Sequence, residues 1–131
     1  RQDPSSPYSG VISIFSERAT QGLPITVFGD GEQTRDFLYV GDLVNVMVQA
    51  LEQQQVEEGA VNIGLNQATS LNQLLKALEQ VVGSLPPVSY AEARSGDIRH
   101  SRADNQRLLE RFDFPQPTSM VQGLAHLLGK V

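Results

Sequence analysis

Residues 27–42, VFGDGEQTRDFLYVGD, place an arginine, two glycines and several acids between two short apolar runs. The runs, residues 25–28 and 37–40, have the length and the Gly/Asp boundaries of buried strand ends. The connection is longer than the two residues of a tight hairpin, so it can do more than reverse the chain. Gly29 and Gly31 can adopt positive φ and let another group approach the backbone. Arg35, held on a rigid edge before the second run, presents a planar guanidinium that can grip a phosphate through two parallel hydrogen bonds. It can equally pair with Asp30, Glu32 or Asp36 at the surface, and the loop alone does not separate these readings.

A second stretch has similar chemistry. Residues 93–102, ARSGDIRHSR, carry Arg94, Arg99 and Arg102 around a Gly96-Asp97 turn. Three guanidinium groups so close together are costly to bury unpaired, so they face water or an anion.

Both stretches resemble a known family. FGDGxQTRDFxYVxD and Arg-x-Gly-Asp are similar to segments of the NAD-dependent nucleotide-sugar epimerases and dehydratases, the extended short-chain dehydrogenase/reductases. The resemblance implies that Arg35 and Arg94 contact the diphosphate of a nucleotide sugar and that Asp97 accepts from the ribose hydroxyls. Backbone at Val27 and Phe28 would meet the base, with Val11 and Ile12 beside it as part of the wall or simply as core. Ser101 occupies the position that lines the pocket for the C2 substituent of the sugar. A tyrosine there leaves room for a hydroxyl only, whereas serine leaves room for an N-acetyl group; the competing reading is a helix cap following Arg102. His100 reads as structural or solvated, and His126 receives no role.

The elements that must position these groups follow from periodicity. Val11, Ile12, Phe15 and Ala19 form a helical stripe stopped by Gly22 and Pro24. Residues 25–28 and 37–40 are expected strands, with Asp42 as N-cap of the next helix. On that helix Leu43, Val46, Met47, Ala50 and Leu51 share a face, and Val44 and Val48 add a flank, so burial on more than one side is expected. The QQQVEEG segment reads as a solvated helix end. Residues 61–64 read as a short strand and residues 65–69 as a connector. Ser70 and Gln73 form a capping box for a leucine-rich helix over Leu71, Leu74, Leu75, Leu78 and Val82. Residues 88–90 read as a strand. Asp104 can cap a helix with Leu108, Leu109 and Phe112, and Thr118 or Ser119 opens a last helix with Val121, Leu124, Ala125 and Leu128 inward. The expected fold class is α/β, short strands with about five helices.

At 131 residues and 40% hydrophobic composition the chain suits one domain. Its formal net charge of −5 argues against a nucleic-acid partner, which needs a basic footprint, and no run suits a membrane span. Eight of its ten basic residues are arginines, so an anion must be met by local guanidinium groups. Cysteine is absent, which excludes disulfides and thiol chemistry and is compatible with a reducing cytosol.

Two signatures of the family are missing. No Gly-rich strand–turn–helix for a dinucleotide occurs. No Tyr-x-x-x-Lys occurs either, since Ile12, Leu43 and Arg94 stand four residues after Tyr8, Tyr39 and Tyr90. No catalytic residue or metal cluster is therefore assigned. An opening similar to Arg1-Gln2-Asp3-Pro4 follows the nucleotide-binding half in the family. The resemblance thus implies that residues 1–131 are the C-terminal substrate-binding lobe of a cytoplasmic enzyme whose N-terminal NAD-binding Rossmann domain lies elsewhere. Such a parent would bind NAD and a UDP-sugar, oxidise C4, turn the keto sugar and reduce it from the other face. It would be a 4-epimerase or, alternatively, a 4,6-dehydratase or decarboxylase; a non-catalytic nucleotide-sugar binding module is a third reading. The lobe alone is expected to bind no NAD, and association, commonly as a homodimer, is expected.

Overall fold

The computed structural model describes residues 10–53, 59–114 and 116–130. The Arg1-Gln2-Asp3-Pro4 opening and most of the QQQVEEG segment lie outside the described residues. The elements in order are α1 (Val11–Gln21), β1 (Ile25–Phe28), β2 (Thr34–Arg35), α2 (Val40–Glu52), β3 (Thr69–Ser70), α3 (Leu71–Val82), β4 (Val88–Ala91), α4 (Gln106–Arg111) and α5 (Met120–Leu127).

The core is built around α3. Leu71, Leu74, Leu75, Ala77 and Leu78 form its buried face, and they meet Phe15 of α1, Ile25 and Val27 of β1, and Leu124 of α5. Burying a side chain of this size stabilises by roughly 1.5–3 kcal/mol, so this stripe does most to hold the lobe together. The helix starts where the sequence says it should: Ser70 accepts from the Gln73 amide while Gln73 accepts from the Ser70 amide. Ser119 and Gln122 repeat the device on α5. With both helix starts fixed, the register of the buried stripe is fixed as well.

Two small sheets flank this core. β1 and β4 run parallel, with Phe28 opposite Ala91 at their carboxyl ends. β2 and β3 pair antiparallel through Thr34 with Ser70 and Arg35 with Thr69. The expected strand at residues 37–40 does not form: pairing stops at Arg35, Phe37 packs on the core, and Val40 already begins α2. Thr69, expected as connector, is strand instead.

Residues 61–64 are not strand either. Asn62 Nδ2 donates to the Asp104 carbonyl at 3.2 Å and Asn105 Nδ2 to the Gly64 carbonyl at 3.0 Å. Side-chain amides thus take the place of a neighbouring strand. Asp42 is not the cap of α2 but lies in its first turn, where its carboxylate accepts from the amide and hydroxyl of Thr118, both at 2.9 Å. Of the apolar residues on α2 only Val46 is buried. Val44, Met47, Val48 and Leu51 are exposed, so the expected burial on two sides is not found among the described residues.

Candidate functional site: two arginine loops at one sheet edge

The parallel pairing of β1 and β4 explains how two stretches distant in sequence reach one place. Both strands end on the same side, so the loop from Gly29 and the loop from Glu92 leave the sheet together. Clefts beyond the carboxyl ends of parallel strands are where α/β folds generally bind ligands. The amides of Ile25 and Gly29 donate to the Pro87 and Ala91 carbonyls. Thr26 and Phe28, out of phase by one residue, therefore direct their amides to the other edge of β1. No strand among the described residues pairs with that edge.

The second loop then folds back along β2. The Thr34 amide donates to the Arg99 carbonyl at 2.8 Å, and the Ser101 amide to the Thr34 carbonyl at 3.1 Å. Thr34 Oγ1 and His100 Nδ1 lie 3.0 Å apart. Arg35 reaches across, its Nη1 donating to the Ile98 carbonyl at 2.7 Å and to the Thr34 carbonyl at 2.8 Å. None of the acids near it in sequence pairs with it among the described residues: Asp30 is engaged by Arg99, and Asp36 accepts backbone amides.

Arg94 lies over the Phe28 ring, its guanidinium carbon 3.8 Å from the ring centroid. That contact fixes the cation while using none of its N–H donors. The Asp97 amide closes a turn onto the Arg94 carbonyl at 3.2 Å, with Gly96 at φ 83°. Both Arg94 and Asp97 are exposed. Arg35 thus touches, at Ile98, the loop that carries the exposed Arg94 and Asp97, and side chains of these types suit an anion carried by a hydroxyl-bearing group.

Several pairings at this edge were not legible in the sequence. Asp30 and Arg99 form a two-pronged ion pair at 3.0 and 2.8 Å. Hydrogen bonding from Arg99, then from the Glu32 amide, holds the Asp30 carboxyl below the usual carboxylate range, and the same partner pushes Arg99 up. Asn72 of α3 donates to the Asp30 carbonyl at 3.1 Å and accepts from Tyr90 Oη at 2.9 Å. No short-range pattern relates residues 30, 72, 90 and 99, so only the fold could bring them together.

The remaining expected site residues stand as follows. Val27 is fully buried, so its side chain belongs to the core and only its backbone is left for a ligand. Val11 is half-buried against the same core. Ser101 is exposed and caps no helix: α4 begins at Gln106, whose amide is taken by Asp104 Oδ1 at 3.0 Å. A groove of about 800 Å³ opens elsewhere, between residues 37–40, residues 65–69 and α5. Tyr39 and His126 stack in its wall with centroids 5.5 Å apart. Its lining contains no lysine or arginine, so the arginine loops are the better match to an anion.

The model of the NAD dependent epimerase/dehydratase family matches residues 1–64. The chain is also 34% identical over 125 residues to the UDP-glucose 4-epimerase of Mycolicibacterium smegmatis, an alignment covering 95% of this chain and 39% of the relative. The chain belongs to this epimerase/dehydratase family. Among solved members, the UDP-glucose 4-epimerase of Thermotoga maritima with UDP-glucose superposes with a TM-score of 0.87 at 34% identity. That match covers 99% of this chain and 41% of the solved one. The UDP-N-acetylglucosamine 4-epimerase of Methanobrevibacter ruminantium, in complex with UDP-N-acetylmuramic acid, gives 0.83 at 30% identity, over all of this chain and 43% of the other. The chain thus spans about two fifths of the length of these family members.

The family uses NAD, and the Gly29–Gly31 loop is the glycine-rich stretch that could cradle it. Both glycines have positive φ, 89° and 77°, but the chain continues into β2 rather than a helix. A Cβ at Gly31 would collide with the Asn72 side-chain amide. This glycine makes room for α3, not for a pyrophosphate, and these residues do not fit a dinucleotide.

Proposed function

We propose that the chain is the C-terminal, nucleotide-sugar-binding part of an NAD-dependent 4-epimerase acting on a UDP-hexose or UDP-N-acetylhexosamine. The observation that supports this reading is that Arg35 donates to the Ile98 carbonyl of the loop that carries Arg94, while Arg94 lies over Phe28 at the carboxyl end of β1. In this reading the diphosphate sits between the two guanidinium groups and the ribose hydroxyls donate to Asp97. The base lies along the open edge of β1, against the amide of Phe28.

Cofactor cradle and catalytic base would belong to the remaining three fifths of the parent, which would also cover α2. The chain supplies grip and orientation rather than chemistry. It holds the sugar end of the substrate in one place while hydride transfer happens elsewhere, which is the entropic part of catalysis.

The test is calorimetric titration of UDP into the protein and into Arg35→Ala and Arg94→Ala. Charge-assisted hydrogen bonds contribute roughly 1.5–3 kcal/mol each, so each substitution is expected to weaken binding tenfold or more. Unchanged affinity in both variants would remove the reading.

A further inference from the structure

We propose that the Asp30–Arg99 ion pair is a latch that sets the position of the loop carrying Arg94, and that neither partner touches the ligand. This rests on the diphosphate reading of Arg35 and Arg94. Asn72 stands on α3, the most deeply buried helix, and holds the Asp30 backbone through its carbonyl. The Asp30 carboxylate, already oriented by the Glu32 amide at 2.9 Å, then receives both prongs of Arg99. Residues 98, 99 and 101 each make a backbone hydrogen bond to residue 34 or to the Arg35 side chain. Rigidity therefore passes from α3 through Asp30 and Arg99 into residues 94–101, and fixes how far Arg94 stands from Arg35. A bidentate arginine–carboxylate pair is the geometry in which an exposed bridge retains directional value.

The pair also settles a charge conflict. An unpaired carboxylate at residue 30 would add negative charge close to the loop that carries Arg94 and would repel a diphosphate bound there. Arg99 neutralises it, and its own fork is spent in doing so. The consequence is an asymmetry. Removing Arg99 leaves the carboxylate unpaired beside the anion, whereas removing the charge of Asp30 merely loosens the loop.

The experiment is a double-mutant cycle read by UDP calorimetry on the whole protein: Asp30→Asn, Arg99→Gln, the double variant, and the exchanged pair Asp30→Arg with Arg99→Asp. The latch predicts a loss of about three- to fivefold for Asp30→Asn, the size of one exposed ion pair, and a larger loss for Arg99→Gln. The double variant should bind no worse than Arg99→Gln alone, and the exchanged pair should recover most of the affinity. Melting temperatures should hardly move, as for any single exposed ion pair, so the loss is read in binding and in loop exchange. Tighter binding by Asp30→Asn, or no recovery in the exchanged pair, would overturn the latch and make Arg99 a direct ligand of the phosphate. Hydrogen exchange of residues 98–101 without ligand separates this from the parent reading. Faster exchange in Asp30→Asn supports the latch even if UDP fails to bind, and unchanged exchange refutes it.

Discussion

The Arg94 guanidinium carbon lies 3.8 Å from the centre of the Phe28 ring, so the last residue of β1 carries the cation of the loop that follows β4. The contact leaves the guanidinium plane exposed along its rim, with its donors unspent. In the proposed reading Phe28 would act on a ligand through Arg94 as well as through its backbone. Replacing it with leucine keeps the bulk and removes the ring quadrupole, worth about 0.5–1 kcal/mol for an exposed pair. UDP affinity is expected to fall about two- to fivefold, measured by calorimetry, with little change in melting temperature. Full affinity in Phe28→Leu would show that the ring does not hold Arg94 in solution.

Asp36 has the opposite character, structural where Arg94 is free. Its carboxylate accepts from the amides of Leu65 at 3.2 Å, Asn66 at 3.0 Å and Ala103 at 3.1 Å, so three chain segments meet on one side chain. Asp36→Ala strands these donors, each costing about 1–3 kcal/mol if it finds no water. A destabilisation of at least about 2 kcal/mol is expected in urea unfolding. A loss below about 0.5 kcal/mol would mean that water replaces the carboxylate.

How much of this could be read from the sequence depends on the range of the interaction. The α3 capping box and leucine stripe lie within one or two turns, and local geometry alone predicts them. The strand at residues 88–90 and the positive φ of Gly29 and Gly31 were equally accessible. Residues 37–40 misled because a short apolar run fits a strand or a helix start, and only the partner decides. For residues 61–64 the partner is a pair of asparagine amides, which no periodicity announces. At the site, the resemblance singled out Arg35, Arg94 and Asp97. Asp30 and Arg99 stood out only as a possible arginine partner and a member of an arginine cluster, and Asn72 not at all, because which groups pair is decided by contacts across 40 or more positions.

The Asp30–Arg99 bridge should survive everywhere except in acid. The bonds from Arg99 and from the Glu32 amide lower the folded-state pKa of Asp30. A depressed carboxyl contributes fully above its unfolded value of about 3.9 and loses that contribution as pH falls through the lower folded value. Arg99, raised by the same contact, stays charged throughout. Protection of residues 98–101, corrected for intrinsic exchange, is therefore expected to be flat above about pH 5 and to fall only below about pH 4. A loss of protection already above about pH 5 would show that the bridge does not hold residues 98–101.

The exposed face of α2 predicts association of the isolated chain. Leu51 is 81% exposed and Met47 54%, beside Val44 and Val48, and Val40 continues the patch into the groove near Tyr39. Contiguous apolar surface of this kind is seldom left to water. Sedimentation velocity is expected to show dimers or larger species that dissociate in Met47→Glu/Leu51→Glu. A monomer at all concentrations would show that the face is tolerated as it stands.

The last prediction concerns the sugar, and it turns on Ser101. Its amide is fixed to the Thr34 carbonyl at 3.1 Å and its side chain is exposed. No helix starts near enough for it to cap, since α4 begins at Gln106. The side chain is therefore free to face the ligand that Arg94 and Asp97 of the same loop would hold in the proposed reading. A serine leaves space beside the C2 position that a tyrosine would fill, and close-packed surroundings yield to an added ring at a cost of about 1–3 kcal/mol. UDP-N-acetylglucosamine is expected to bind the natural protein at least as tightly as UDP-glucose. In Ser101→Tyr its affinity should fall about tenfold or more relative to UDP-glucose, because only the acetamido group reaches the ring. Equal losses for both sugars would mean that the tyrosine disturbs the diphosphate grip. An unchanged ratio would place the C2 pocket elsewhere on the chain.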